Sequence, residues 1–397
     1  MATIDLIVVG GGPAGATCAR RAAQLGLEVL LLEKANHPRR KACGGGITVR
    51  ARDALDFDIS TVIEREIYGV RLHSPRGLVI EQFRPELSGF TVRREGFDLL
   101  LLQKAKEAGA EVIEGTKVVD VIERSESVHV VTEDGTYISR LLVGADGTNS
   151  IVGRRSGIKT RWRDDEVGLC IEAAVPVDPS EISRIVYEKS LIEFYFGRVL
   201  YGYAWAFPKK TEFSLGIGVR MSKMRNLKDA WKRFVSSFEE RHSVKCDMRD
   251  TVSARLPLRG KIMDTCSKRV MLAGDAAGYV APLTGEGIFY AIESGKIAAE
   301  VANEELAKGM SANAFSYEFR CKKAFNEDLT IAHSLANHLF KSNKNMEIAC
   351  QAAHTDRKLL EYLIDLVMGI KSYKETRNKL LKRLLQKHPR KALSLVI

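Results

Sequence analysis

The chain has 397 residues, 45% of them hydrophobic and 28% charged. That is enough for two domains and a sizeable core, and it excludes a disordered or collagen-like chain. The formal net charge is +11, but no aromatic-interleaved basic groove or helix-turn-helix pattern goes with it, so no nucleic acid is expected; an anionic membrane surface, an acidic electron donor or a plain solvated surface each account for it.

The first elements are predicted at once. Ile4-Asp5-Leu6-Ile7-Val8-Val9 is an apolar strand running into Gly10-Gly11-Gly12-Pro13-Ala14-Gly15, and Leu30-Leu31-Leu32-Glu33 follows about twenty residues on. This order of strand, glycine turn, helix and acid-ended strand is a dinucleotide-binding unit over 1–35. Gly10 permits the tight turn, Gly12 lets the backbone approach a pyrophosphate, and Gly15 lets the helix pack on the strand. The helix N-terminus offers free N–H groups to the phosphates, and Glu33 is placed for a ribose hydroxyl. The chain enters its first strand without a leader and its apolar runs fall short of the ~20 residues that span a bilayer, so a cytoplasmic protein is expected.

Residues 36–60 read as a loop and a short helix carrying Lys41-Ala42-Cys43-Gly44-Gly45-Gly46-Ile47. Arg94 opens a predicted helix over Phe97–Ala108 that ends at Gly109. Short strands are predicted over 111–131, with an Asp134-Gly135 hairpin turn joining 128–132 to 137–143. Leu141–Val143 then runs through Gly144-Ala145 into Asp146-Gly147, with Arg154 and Arg155 just beyond. From about 160 to 260 the pattern becomes strands and turns, at Gly168–Val175, Leu191–Phe196, Tyr201–Phe207 and Phe213–Val219, with a helix over Leu227–Arg241. Tyr203, Trp205 and Phe207 alternate along one strand and share a face with Tyr201. The chain returns at 269–307 with Val270–Ala273, Gly274-Asp275, then Pro282, Gly285, Glu286, Gly287, Ile288 and a long helical pattern.

After 310 the pattern is all helical. Leu359–Met368 is apolar on nearly every side, as suits a buried or lipid-facing helix. From Lys371 nine Lys or Arg accompany a single acid, Glu375, and Leu380, Leu381, Leu384 and Leu385 form a stripe. Such a basic amphipathic helix either lies on a membrane surface as a peripheral contact or packs on the protein itself. The seven cysteines, at 18, 43, 170, 246, 266, 321 and 350, form no C-x-x-C pair. That argues for free thiols and against metal or iron–sulfur sites.

The glycine turn, the Asp146-Gly147 strand end and the Gly274-Asp275 strand end, in this order, resemble the flavoprotein hydroxylase group, which binds FAD. The resemblance gives the ribityl chain to Asp275 and places the Gly285–Ile288 turn against the flavin pyrimidine carbonyl. Lys41–Ile47 resembles the Cys-Gly-Gly segment that geranylgeranyl reductases carry beside the flavin. Arg94-Glu95-Gly96-Phe97-Asp98 is similar to their Arg-x-x-Phe-Asp, with Arg94 rather than Arg93 matching an FAD phosphate ligand. Tyr203-Ala204-Trp205-Ala206-Phe207-Pro208-Lys209 is similar to their Tyr-x-Trp-x-Phe-Pro-Lys. Over nearly its whole length the chain is identified as a member of that family, which reduces isolated C=C bonds in prenyl chains of archaeal lipids, chlorophylls or quinones.

The resemblance implies an α/β fold (α+β overall): a Rossmann-like FAD-binding domain from 1–160 and 261–310, an antiparallel-sheet substrate domain at 161–260, and a helical region at 311–397. The cofactor set is Gly10, Gly12, Pro13, Ala14, Gly15, Glu33, Lys34, Cys43, Gly44, Gly45, Arg94, Val119, Asp146, Gly147, Gly274, Asp275, Gly285, Glu286, Gly287 and Ile288. The substrate set is Tyr201, Tyr203, Trp205, Phe207 and Pro282. Cys43, Tyr203 and Trp205 are the catalytic candidates: Cys43 to protonate the substrate, tune the flavin or merely fill space, the aromatic row to wall a pocket or form the sheet's core. The substrate expected is a prenylated lipid or quinone. No second strand–GxGxxG–helix unit is present, so the reductant is an acidic ferredoxin or NAD(P)H docking without a Rossmann site. An FAD monooxygenase acting on an aromatic or polyketide-like substrate is the alternative; it shares the flavin motifs but not the Tyr-x-Trp-x-Phe-Pro-Lys segment.

Overall fold

A computed structural model describes residues 3–158, 161–309 and 313–389. Its first sheet is built on the parallel strands Glu111–Glu114, Val29–Glu33, Ile4–Val9 and Thr136–Gly144. Val270–Leu272 adds in parallel to the C-terminal half of Thr136–Gly144, while the hairpin strands Val128–Thr132 and Val118–Glu123 continue from its N-terminal half. Leu6–Val8 and Leu141–Val143 are fully buried, as a parallel sheet covered on both faces requires. The helices Pro13–Gln24 and Ile288–Leu306 pack together on this sheet.

The second sheet runs Thr251–Pro257, Val167–Pro176, Glu212–Arg220, Gly202–Pro208, Leu191–Tyr195, Gly69–His73, Val79–Phe83. Its last two strands come from inside the 1–160 segment that the sequence reading gave whole to the first domain. Gly69–His73 pairs in parallel with Leu191–Tyr195, a long-range pairing that leaves no local pattern in the sequence. A small third sheet joins Gly46–Thr48, Gly89–Val92 and Ile63–Ile67, so a short strand stands between the loop and the short helix expected at 36–60. Tyr201 is a turn residue with φ +55° and precedes the strand it was expected to belong to.

The second sheet has two different faces. Behind it the helix Leu227–His242 supplies Trp231, Phe234 and Phe238 to a core with Leu191, Leu215 and Ile217. Among these apolar groups Glu193 is fully buried. It accepts hydrogen bonds from Arg71 Nη1 and Tyr195 Oη, both at 2.9 Å, and meets His73 Nε2 at 2.6 Å and His242 Nε2 at 3.3 Å. Burial works to raise the Glu193 carboxyl, but the two histidines and Arg71 outweigh it and hold the group well below the ordinary carboxylate range. On the front face Phe194 and Trp205 pack against the C-terminal helices Asn343–Thr355 and Arg357–Val367 through Cys350, Leu360 and Ile364.

Among the described residues no helix is long and apolar enough to cross a membrane. The last described helix, Tyr373–Lys387, buries Leu380 and Leu384 on the protein, whereas Leu381 and Leu385 are 39% and 59% exposed. The predicted stripe is therefore divided between the two fates expected for it; residues 390–397 of that basic stretch lie outside the described ones.

Candidate functional site

One cleft of about 820 Å³ runs from the glycine turn of the first sheet to the front face of the second. Every residue assigned to the site from the sequence lines it except Gly15, Val119 and Gly274. Each exception has a packing reason. A methyl at Gly15 would stand 1.8 Å from the Gly10 carbonyl oxygen, so Gly15 serves the helix–strand contact. A methyl at Gly274 would stand 3.0 Å from Ala14 Cβ, and the Gly274 N–H donates to Ser294 Oγ. Along Val118–Glu123 side chains alternate, and Val118 takes the cleft side in place of Val119.

At the glycine turn Gly12 precedes the helix Pro13–Gln24 without any side chain capping its free N–H groups. Those donors and the helix dipole suit an anion. Glu33 accepts from the Gly11 N–H at 2.5 Å and the Ala35 N–H at 2.9 Å, which fixes its carboxylate at the edge of the cleft. The sequence reading missed Arg39, whose Nη2 lies 3.6 Å from where a Gly12 Cβ would be. It brings a guanidinium to the helix N-terminus, and no local periodicity marks it.

Arg39 is held by Asp98, at 3.2 Å. The same fully buried carboxylate takes a two-pronged hydrogen bond from Arg94, at 2.8 and 2.9 Å. Backbone register explains why Arg94 meets the Cys43 loop: Gly46 pairs with Thr91, and the Gly45 carbonyl accepts from the Val92 N–H at 2.9 Å. Continuing that antiparallel register brings Cys43 opposite Arg94. Burial works to lower the Arg94 pKa, but the Asp98 carboxylate outweighs it and the guanidinium stays charged. The Cys43 loop turns through Gly45 at φ +73°, where a side chain would also meet the Val92 carbonyl.

The two acids that follow strand ends look alike in sequence and differ in space. Asp146 accepts from Ser150 Oγ at 2.5 Å and from the Ile151 and Val152 N–H groups at 2.7 and 3.1 Å. It thus caps the short helix Ile151–Arg155, and burial pushes its carboxyl up against those bonds. Asp275 lines the cleft, and among the described residues its carboxylate accepts no hydrogen bond. Glu286, assigned to the cofactor, lines the cleft, and its carboxylate is engaged by Arg50 and by Thr48 Oγ1, the latter at 2.8 Å.

The far part of the cleft is aromatic. Phe194 makes edge contacts with Tyr203 and Phe207, each at 5.5 Å between centroids, and Tyr203 meets Trp205 at 6.2 Å. Ile192, Phe340, Val367 and Met368 complete the wall. Sequence alternation found the Tyr203 strand but not Phe194, because its neighbour strand carries Glu193 and Tyr195 on the opposite face. The Tyr203 hydroxyl donates to the Thr284 carbonyl, and burial raises its pKa. Cys170 also lines the chamber, with its thiol pushed up to about 12 by burial. Among the described residues no cluster of metal-ligating side chains occurs. A cradle in which a Gly10 Cβ would stand 2.4 Å from the Ala145 carbonyl, an uncapped helix start with a guanidinium beside it, and a free acid at Asp275 fit the pyrophosphate and ribityl chain of a flavin dinucleotide.

Residues 5–246 match the family model described as FAD dependent oxidoreductase. A digeranylgeranylglycerophospholipid reductase of Methanosarcina acetivorans is 30% identical over 355 residues, covering 84% of each chain. The crystal structure of a geranylgeranyl bacteriochlorophyll reductase-like protein from Thermoplasma acidophilum superimposes with a TM-score of 0.79 at 25% identity, over 100% of this chain and 99% of the other. A flavin-dependent brominase shares the fold, with a TM-score of 0.74 at 21% identity over 97% of this chain and 100% of its own.

Proposed function

The chain belongs to the FAD-dependent oxidoreductase family, in its geranylgeranyl reductase branch, and from that premise we propose that it saturates isolated C=C bonds in the prenyl chains of an archaeal-type ether lipid. The observation that carries this reading is the single cleft joining the cofactor cradle to an aromatic, largely apolar chamber. A bound flavin would supply the hydride chemistry. Arg39 and the helix start at Gly12 would hold its phosphates, and Asp275 its ribityl hydroxyls.

The chain's own residues do the rest. Phe194, Tyr203, Trp205 and Phe207 exclude water and orient the prenyl chain, and their ring faces favour the cationic character that develops as an unactivated alkene is reduced. With the Tyr203 hydroxyl engaged by Thr284, two thiols line the cleft; burial makes Cys170 hold its proton tightly, which leaves Cys43 Sγ as the proton donor near the chamber. Arg94 fixes that thiol from one side. The basic surface suits an acidic ferredoxin as electron donor, and the exposed Leu381 and Leu385 on the lysine-rich last helix suit peripheral contact with an anionic membrane.

The test is anaerobic incubation of the reduced holoenzyme with an unsaturated digeranylgeranylglycerol phospholipid, followed by mass spectrometry. Two hydrogens gained per double bond, with reoxidation of the flavin, are expected. Reduced enzyme that stays reduced and leaves the lipid unchanged would overturn the reading.

A further inference from the structure

Trp205 carries a polar atom that the chamber does not explain. The residue is only 8% exposed, yet its indole N–H is buried without an acceptor among the described residues. Buried donors are nearly always paired, and leaving one unpaired forfeits its hydration without return.

The ring cannot turn to find a partner. A methyl at Gly216 would stand 2.0 Å from Trp205 Cζ2 and 2.3 Å from Cε2, so the indole lies directly on the backbone of the neighbouring strand. Tyr203 also meets the indole in an edge contact, at 6.2 Å between centroids. The Nε1 end points at the Cys43–Gly45 loop, where a methyl at Gly44 would stand 3.0 Å from it. Gly44 has no side chain to offer, and no carbonyl of the described residues reaches the N–H. The acceptor must therefore come from whatever occupies the cleft at that point. A prenyl chain has no acceptor atoms.

We propose that Trp205 is a flavin hydrogen-bond donor as well as a wall of the substrate chamber: its Nε1–H donates to a ring nitrogen or carbonyl oxygen of the bound isoalloxazine. The assignment rests on the prenyl reading only in taking the substrate to be hydrocarbon. Reduction adds electron density to those ring atoms, and hydrogen bonds to charged acceptors are stronger than neutral ones. A donor fixed there binds reduced flavin more tightly than oxidised flavin. The tryptophan thereby couples the two halves of the cleft, since the ring that faces the prenyl chain also sets the reducing power of the cofactor.

The test replaces Trp205 by β-(3-benzothienyl)alanine, which keeps the ring shape and removes the N–H, with Trp205→Phe as the conventional companion. Both are measured by titrating apoprotein with FAD in its two redox states and by the absorption spectrum, with no prenyl substrate present. The expected result is about tenfold weaker binding of oxidised FAD, as loss of one hydrogen bond of about 1.4 kcal/mol implies. Reduced FAD should lose about a further tenfold, which for a two-electron couple lowers the midpoint potential by about 30 mV. Unchanged affinities and spectrum in the benzothienyl variant would overturn the proposal and leave Trp205 as a substrate wall. Because no lipid is added, that outcome is independent of whether prenyl turnover is ever observed.

Discussion

Asp146 and Asp275 each stand just past the end of an apolar strand, and replacing each with alanine should fail in opposite ways. Asp275 has no partner among the described residues, so Asp275→Ala removes nothing that holds the apoprotein together, and its melting should move little. What it removes, on the proposed role, is a charged acceptor for the ribityl hydroxyls, worth about 1.5–3 kcal/mol, or a rise of about 10- to 150-fold in the FAD dissociation constant. Asp146→Ala removes the acceptor for Ser150 Oγ and for two backbone N–H groups. By analogy with other lost helix caps this costs about 1–2 kcal/mol of apoprotein stability. The assay pairs fluorescence titration of apoprotein with FAD and chemical denaturation of the same samples. Full-strength FAD binding by Asp275→Ala, or a wild-type denaturation midpoint for Asp146→Ala, would refute the assignment of roles.

Two further outcomes are expected. Cys43→Ser should retain normal FAD content while prenyl turnover drops about a hundredfold or more, the range for a lost general acid; wild-type turnover would remove Cys43 from proton delivery. Burial, against the pull of Glu193, holds the His73 pKa below its ordinary value, and its Nδ1 is buried without an acceptor. The folded state therefore keeps His73 neutral while the unfolded chain takes up a proton near about pH 6.5. The stability tied to this group is present above that pH and is lost as pH falls below it. Tm should be lower at about pH 5 than at about pH 7, and His73→Gln should flatten part of that slope; an unaltered slope would refute the linkage.

The first sheet was legible because its signals are local. Apolar runs, the glycine turn and Glu33 each sit where short-range rules place them. The second sheet was legible where strands cluster in one stretch of sequence: 167–176, 191–195, 202–208 and 212–220 were found, whereas the Gly69–Phe83 hairpin was not, because it lies inside the segment of the first sheet and joins the second only through Leu191–Tyr195, far along the chain. Within the site, residue type announced the cleft but not its use. Asp146 and Asp275 both follow an apolar strand and a glycine, and only the positions of Ser150 and the Ile151 and Val152 N–H groups tell a helix cap from a free acid. Likewise Glu286 sits in the expected turn and lines the cleft, but its partner Arg50 could not be read from the sequence. Arg39 and Phe194 escaped notice because nothing at their own positions marks them; they matter through what tertiary packing brings near.

The pairing of Gly69–His73 with Leu191–Tyr195 sets a constraint on how this chain is made. The residues it joins, such as Arg71 and Glu193, are 122 positions apart. During synthesis the Gly69–Phe83 hairpin leaves the ribosome long before its partner strand exists, and a lone hairpin is marginal in water. Non-local pairing of this kind slows folding, and an open strand edge invites association with other chains while it waits. A fragment cut at 161–260 would carry the same exposed edge permanently, on the strand that holds Phe194 and Glu193. The aromatic chamber is thus a property of the finished chain: it cannot be lifted out as a module, and nascent chains stalled before residue 191 are where aggregation should begin.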